Sequence, residues 1–238
     1  MNPELKTEKM YRELERLGAV LGVPVPQCHL TLETFDKNGK RLSYHKQRSH
    51  SWVRNAYNCM VSLITRIDMS DSDWGAGYIN MKDIAGSIQH ASYSPGTYNV
   101  VGSSSQSVGK GYRGAATVEE LGIQVGTGTN AESYEDYALQ TLIVSGNGSG
   151  ELAYGEVEAP SKSYVAGTKT YSVAWIRYFN NNSGGSITVN EIGIASLLSL
   201  ATQIYQSLMA RDKLGSGVEV ADTGQLKVTY TISLVYAG

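Results

Sequence analysis

The chain has 238 residues, with 20 basic and 22 acidic side chains and a formal charge of −2. Charged residues make up 18% of it, against roughly 25% in an average soluble domain. Its 41% hydrophobic content nevertheless excludes a disordered chain and is enough for one large β domain or two smaller ones.

Sixteen tyrosines stand beside two phenylalanines, so most aromatic side chains carry a hydroxyl and suit surfaces that pack against partners. No stretch approaches the roughly 18 apolar residues of a membrane span, and the opening MNPELKTEKM lacks the charged-then-apolar layout of a signal peptide. The expectation is a soluble chain made in a cytoplasm, with no membrane partner. Residues 1–66 hold 11 Lys/Arg against 6 Asp/Glu, leaving 9 against 16 for the rest. This basic front has no long Arg/Lys run and little aromatic interleaving, so direct nucleic-acid binding is not expected. Complementarity between neighbouring copies accounts for the split as well.

The opening reads as a helix. Asn2 can cap it, Pro3 suits the first helical position, and Leu5, Met10, Tyr11, Leu14 and Leu17 recur at loose helical spacing until Gly18 and Gly22. A lone helix of this length is marginal in water, so it gains order by docking on its own body or on another subunit, through Leu5, Tyr11, Leu14 and Leu17. Residues 1–27 thus form a helical arm and a stiff Val23-Pro24-Val25-Pro26 spacer. Residues 28–35 and 41–47 flank Asp36-Lys37-Asn38-Gly39-Lys40, the signature of a β-hairpin. Trp52, Ala56, Met60, Leu63 and Ile67 then make an amphipathic helical stripe behind Ser49 or Ser51, which completes a 28–67 hairpin-plus-helix unit. Residues 68–117 show no sustained periodicity and read as an irregular insertion offering a partner surface. From 118 to 238, short apolar runs alternate with Gly, Asn and Ser. Leu226, Val228, Tyr230, Ile232 and Leu234 share one face of a final strand, predicted to be central or paired on both edges. Residues 197–209 fit either a helix or an alternating strand.

Chemistry-bearing patterns are weak. Leu121-Gly122-Ile123-Gln124-Val125-Gly126-Thr127-Gly128-Thr129 partly resembles a phosphate loop. It lacks the third glycine and a following Lys, and Glu132, Glu135 and Asp136 put negative charge where a phosphate needs donors. His29, His45, His50 and His90 are too scattered for a helical zinc motif, although the parity of His29 and His45 allows them to meet across the hairpin. Cys28 and Cys59 lack ligand-spaced neighbours and read as buried thiols. The carboxylates Glu151, Glu156, Glu158 and Asp136 have no calcium-loop or glycosidase spacing. No catalytic residue, cofactor site or metal site is therefore expected. Glu191 and Arg211 each sit in an otherwise apolar run and are predicted to pair across the sheet, because an isolated charge there would be costly.

Several segments together carry a resemblance: Val125-Gly126-Thr127-Gly128-Thr129, Ser133 through Leu139, AWIRYFN (174–180), ITVNEIGI (187–194), MARDKL (209–214) and VTYTI (228–232). In this order they resemble a β-sandwich module in structural proteins of tailed bacteriophages and prophages. The front, with its Asn-Gly turn and SHSWVRNAYN (49–58), resembles the start of the same proteins. The resemblance implies a mainly β chain, an antiparallel, jelly-roll-like β-sandwich with an N-terminal helical arm and one further helix, in which residues 28–67 pack on the sandwich. It implies a non-enzymatic virion structural protein, made in the host cytoplasm, that assembles with copies of itself and with other virion proteins in a tail, collar or fibre. The alternatives are a capsid decoration (cement) protein, or a carbohydrate-binding module on a fibre that touches host surface glycan.

Overall fold

A computed structural model describes residues 3–65, 81–89, 107–200 and 203–236. Helix α1 (Pro3–Leu21) ends at Gly22, whose φ of 69° favours glycine. The Val23 amide donates to the Gly18 carbonyl at 2.8 Å, and a Cβ on Gly18 would collide with Val25. The arm therefore folds tightly back on its proline spacer.

Strands β1 (Pro26–Phe35) and β2 (Arg41–Ser49) form the expected hairpin. Its turn is set by the Asp36 carboxylate, which accepts the amides of Asn38 at 2.8 Å and Lys40 at 2.9 Å, while Gly39 takes a φ of 79°. Cys28, Leu30, Leu32 and Thr34 alternate into the core. Helix α2 (Arg54–Thr65) follows, and of the stripe expected there Trp52 and Ala56 pack against the core. Asn55, Asn58 and Cys59 are buried and Met60 is exposed; Ile67 lies outside the described residues. The reason is polar. The Asn55 amide donates to the carbonyls of Lys82 (2.8 Å) and Leu208 (3.0 Å) and accepts the Lys82 amide at 3.0 Å, which fixes the helix about its axis.

Of residues 68–117, the described parts include a small hairpin, β3 (Met81–Lys82) with β4 (Ile88–Gln89), and a segment in which Gly111 bridges to Leu197. Residues 66–80 and 90–106 lie outside the described residues.

The remaining strands are β5 (Gly122–Gly126), β6 (Ala153–Tyr154), β7 (Ser161–Val165), β8 (Thr170–Asn180), β9 (Ile187–Leu200), β10 (Gln203–Val220) and β11 (Gln225–Val235). Two main antiparallel sheets result. The first runs β2-β1-β11-β8-β6, with β7 also on β8, and the second runs β10-β9-β5. The molecule is mainly β and sandwich-like: Leu30, Leu32, Phe179 and Val228 of the first sheet share one buried cluster with Ile123, Ile192 and Ile194 of the second. Strand β11 is paired along both edges, to β1 from Pro26 opposite Leu234 to Phe35 opposite Gln225, and to β8 on its other side. Residues 197–200 and 203–209 are strand, with Gln206 opposite Leu197 and Leu208 opposite Ala195. The alternating reading of that stretch is the one the pairing realises.

Candidate assembly surface

The two charges singled out in the apolar runs come together. Arg211 lies opposite Gly193, one diagonal step from Glu191, so no side chain stands between them. Its Nε donates to Glu191 Oε2 at 2.7 Å, and its Nη1 donates to Asp136 Oδ2 at 2.8 Å. Glu191 also accepts the amides of Gly128 (3.0 Å), Thr141 (2.8 Å) and Gln140 (3.1 Å). The pair clamps the 127–141 segment over the outer face of the second sheet, where Leu139 covers Gly193. The glycines that imitated a phosphate loop are thereby explained, since a Cβ on Gly126 or Gly128 would strike the Glu191 carboxylate. The loop does bind an anion, and the anion is the chain's own side chain.

Two further buried polar centres escaped the sequence reading. Arg177, fully buried on β8, gives all its N–H groups to backbone carbonyls: Gly155 (2.8 Å), Leu121 and Ile123 (2.9 Å each), Ala115 (2.9 Å) and Val118 (2.6 Å). Its guanidinium lies over the Tyr154 ring at 4.7 Å. Burial lowers its pKa to about 10, so it is a cation at neutral pH. Asp212, on β10, accepts Ser49 Oγ at 2.7 Å and the His50 amide at 2.9 Å, and Ser49 in turn meets the Tyr230 hydroxyl at 2.6 Å. Burial pushes the Asp212 carboxyl up to about 6, against the pull of these donors. The sequence signal for Arg177 was the one that revealed Arg211, a lone charge in an otherwise apolar run.

Above Asp212 lies the seam of the arm. Arg48 of β2 sits between Glu8 (3.2 Å) and Glu15 (2.9 Å) and under the Tyr11 ring at 4.7 Å, while Tyr11 faces His50. The Arg48 hydrogen bond holds the Glu8 carboxyl below its ordinary value. The four residues expected to dock the arm therefore divide. Tyr11 is half-buried on the seam, Leu14 and Leu17 are exposed, and the Leu5 side chain lies outside the described residues. The arm meets its own body through charge and one aromatic ring. On its flank it presents Met10 (65% exposed), Leu14 (48%), Leu17 (42%) and Leu21 (72%) to solvent.

The remaining candidates do not assemble into a site. His45 stands opposite Leu32 and points to the core face, whereas His29 stands opposite Arg48 on the outer face, so the two do not meet. Cys28 and Cys59 are free and buried, and burial raises both thiols to about 12. Among the described residues, no group of three or more His, Cys, Asp or Glu could hold a metal ion. A cleft of about 600 Å³ opens beside Tyr178, Asn180, Asn182, Gln225 and Lys227. Four of its polar side chains are already partnered, Gln225 with Asn180, Asn182 with Asn147 and Lys227 with Glu33. No protein-family model matches the chain, and no curated protein or solved structure matches it significantly.

Proposed function

We propose that the chain is a non-enzymatic virion structural subunit of a tailed phage, a tail, collar or fibre-associated component that assembles with itself and with neighbouring virion proteins. The observation that carries this reading is the arm. A helix anchored to its own sheet by Arg48, Glu8 and Glu15 holds an aliphatic flank out to water, and exposed apolar stripes of this kind mark contact sites. The buried polar groups support it, because Arg177, Arg211 and Glu191 are spent on backbone groups and carboxylates of the chain itself. Capsid decoration uses the same surfaces and is the nearest alternative within the class. A glycan-binding module draws less support, since the cleft beside Tyr178 contains one tyrosine and its Gln225 amide donates to Asn180. The test is antibody labelling of purified particles of the phage that encodes the chain. Labelling at tail, collar or fibre supports the reading, labelling spread over the head shifts it to decoration, and absence of the chain from intact particles overturns it.

A further inference from the structure

We infer that the two edges of the first sheet are the halves of a head-to-tail contact, in which the basic β2 edge of one copy of this chain meets the acidic 151–160 edge of the next. The inference rests on the reading of the chain as a self-assembling subunit and names the surfaces. Strand β2 bounds the sheet on one side, and β6 and β7 bound it on the other. On the β2 side, residues 36–46 hold Lys37, Lys40, Arg41 and Lys46 against Asp36, whose carboxylate is committed to the turn amides. On the other side, residues 151–160 hold Glu151, Glu156 and Glu158 and no Lys or Arg. Glu119 and Glu120 lie alongside, because the Thr117 amide donates to the Tyr154 carbonyl at 3.0 Å and the Val157 amide to the Gly114 carbonyl at 2.9 Å.

Charge selects the occupant. Arg41 is paired with Glu33, and Arg113 with Glu156. Lys37, Lys40 and Lys46 form no ion pair among the described residues, and neither do Glu119, Glu120 and Glu158. Each edge thus keeps uncompensated charge of one sign. Lys46, Thr31, Thr229 and Ile176 stand on one row across the sheet, and the Ile176 carbonyl accepts the Glu158 amide at 2.9 Å. Lys46 and Glu158 are both exposed and end the same row on opposite edges, so a copy displaced sideways brings one to the other. Charge also sets the register. Three rows along, where Cys28 and Ser49 stand, the acidic edge gives way to Lys162, which would oppose Lys46 if the copies slid along the strands. A nucleic acid would match the basic edge alone, whereas a second copy uses both. Such a heterologous contact, repeated, closes into a ring or runs on as a filament according to the rotation at each step.

Within one chain, four interstrand steps of about 4.8 Å hold Lys46 and Glu158 about 19 Å apart, so a zero-length carbodiimide link between them forms only between copies. Peptide mapping of the full chain treated at low salt should find that link. Sedimentation equilibrium should show self-association that weakens about tenfold with Lys46→Glu or with Glu158→Lys, each with an unchanged thermal transition. Mixing the two variants should restore it, since every contact then sets Lys against Glu again. Raising salt to about 0.5 M should weaken the wild type as well. A wild-type chain that stays monomeric at low salt, association unmoved by both reversals, a mixture no stronger than its components, or binding of duplex DNA through Lys46 in place of self-association overturns the inference. In each case, particle labelling still decides the virion reading separately.

Discussion

A guanidinium with every donor on a main-chain carbonyl makes Arg177 the joint at which four separate stretches of chain meet: 115–118, 121–123, 155 and β8 itself. Arg177→Met keeps much of the volume but removes five hydrogen bonds, two of them, to the Leu121 and Ile123 carbonyls, fully buried. We expect a loss of about 4 kcal/mol or more in denaturant unfolding, with Arg177→Lys intermediate because three rotatable donors cannot reproduce the planar fork. Asp212 gives a prediction in pH. Its folded-state value of about 6 lies above the ordinary carboxylate value of 3.8, so the ionised form is the one the fold disfavours. This group's contribution is therefore fully favourable below about pH 4 and is lost as pH rises through about 6. Asp212→Asn retains an acceptor for the His50 amide and removes the charge. It should raise the melting temperature at pH 7.5 by about 3 °C or more and leave it nearly unchanged at pH 4. Equal shifts at both pH values would contradict the assignment.

At the scale of elements, the 127–141 segment has no periodicity and little regular structure, and depends on Glu191 and Arg211 to stay on the second sheet. We expect Glu191→Ala to speed hydrogen exchange at the amides of Gly128, Gln140 and Thr141 while β11 stays protected. The Glu191→Ala/Arg211→Ala cycle should show a coupling of about 1–3 kcal/mol; additive losses would count against a direct pair. This clamp was half legible in the sequence. A charge inside an apolar run announces that a partner exists, but the partner amides come from an aperiodic stretch that no pattern identifies. Strand β11 was legible because strict alternation and length leave one solution, and the hairpin turn because Asp36 and Gly39 dictate it locally. The apolar positions of the arm did not say whether they dock on the chain's own body or on another subunit. Here two carboxylates around Arg48 settled the orientation and turned Leu14 and Leu17 outward. In helix α2 the Asn55 hydrogen bonds bring Asn58 and Cys59 inward with Ala56 and leave Met60 exposed.

Over the whole molecule, the first sheet is stitched from both ends of the chain, with β1 and β2 from the front hydrogen-bonded to β11 from the back. Removing residues 1–22 should leave a folded, soluble β domain that fails to join its assembly at any ionic strength, because only the seam and the stripe are lost. Removing residues 1–49 should instead give an aggregating product, because one long edge of β11 would be open. Solubility and circular dichroism of the two truncations distinguish these outcomes, and equal behaviour would mean that β1 is dispensable. The pairing also governs how the chain comes off the ribosome. Strand β1 is synthesised early, but its neighbour emerges some 190 residues later, about 10–40 s at ordinary elongation rates. Until then the nascent chain holds two half-sheets, and only translation of residues 225–235 joins them. A product cut short before residue 225 would lack the strand on which β1 and β8 both close, so the first sheet cannot close until β11 has been made.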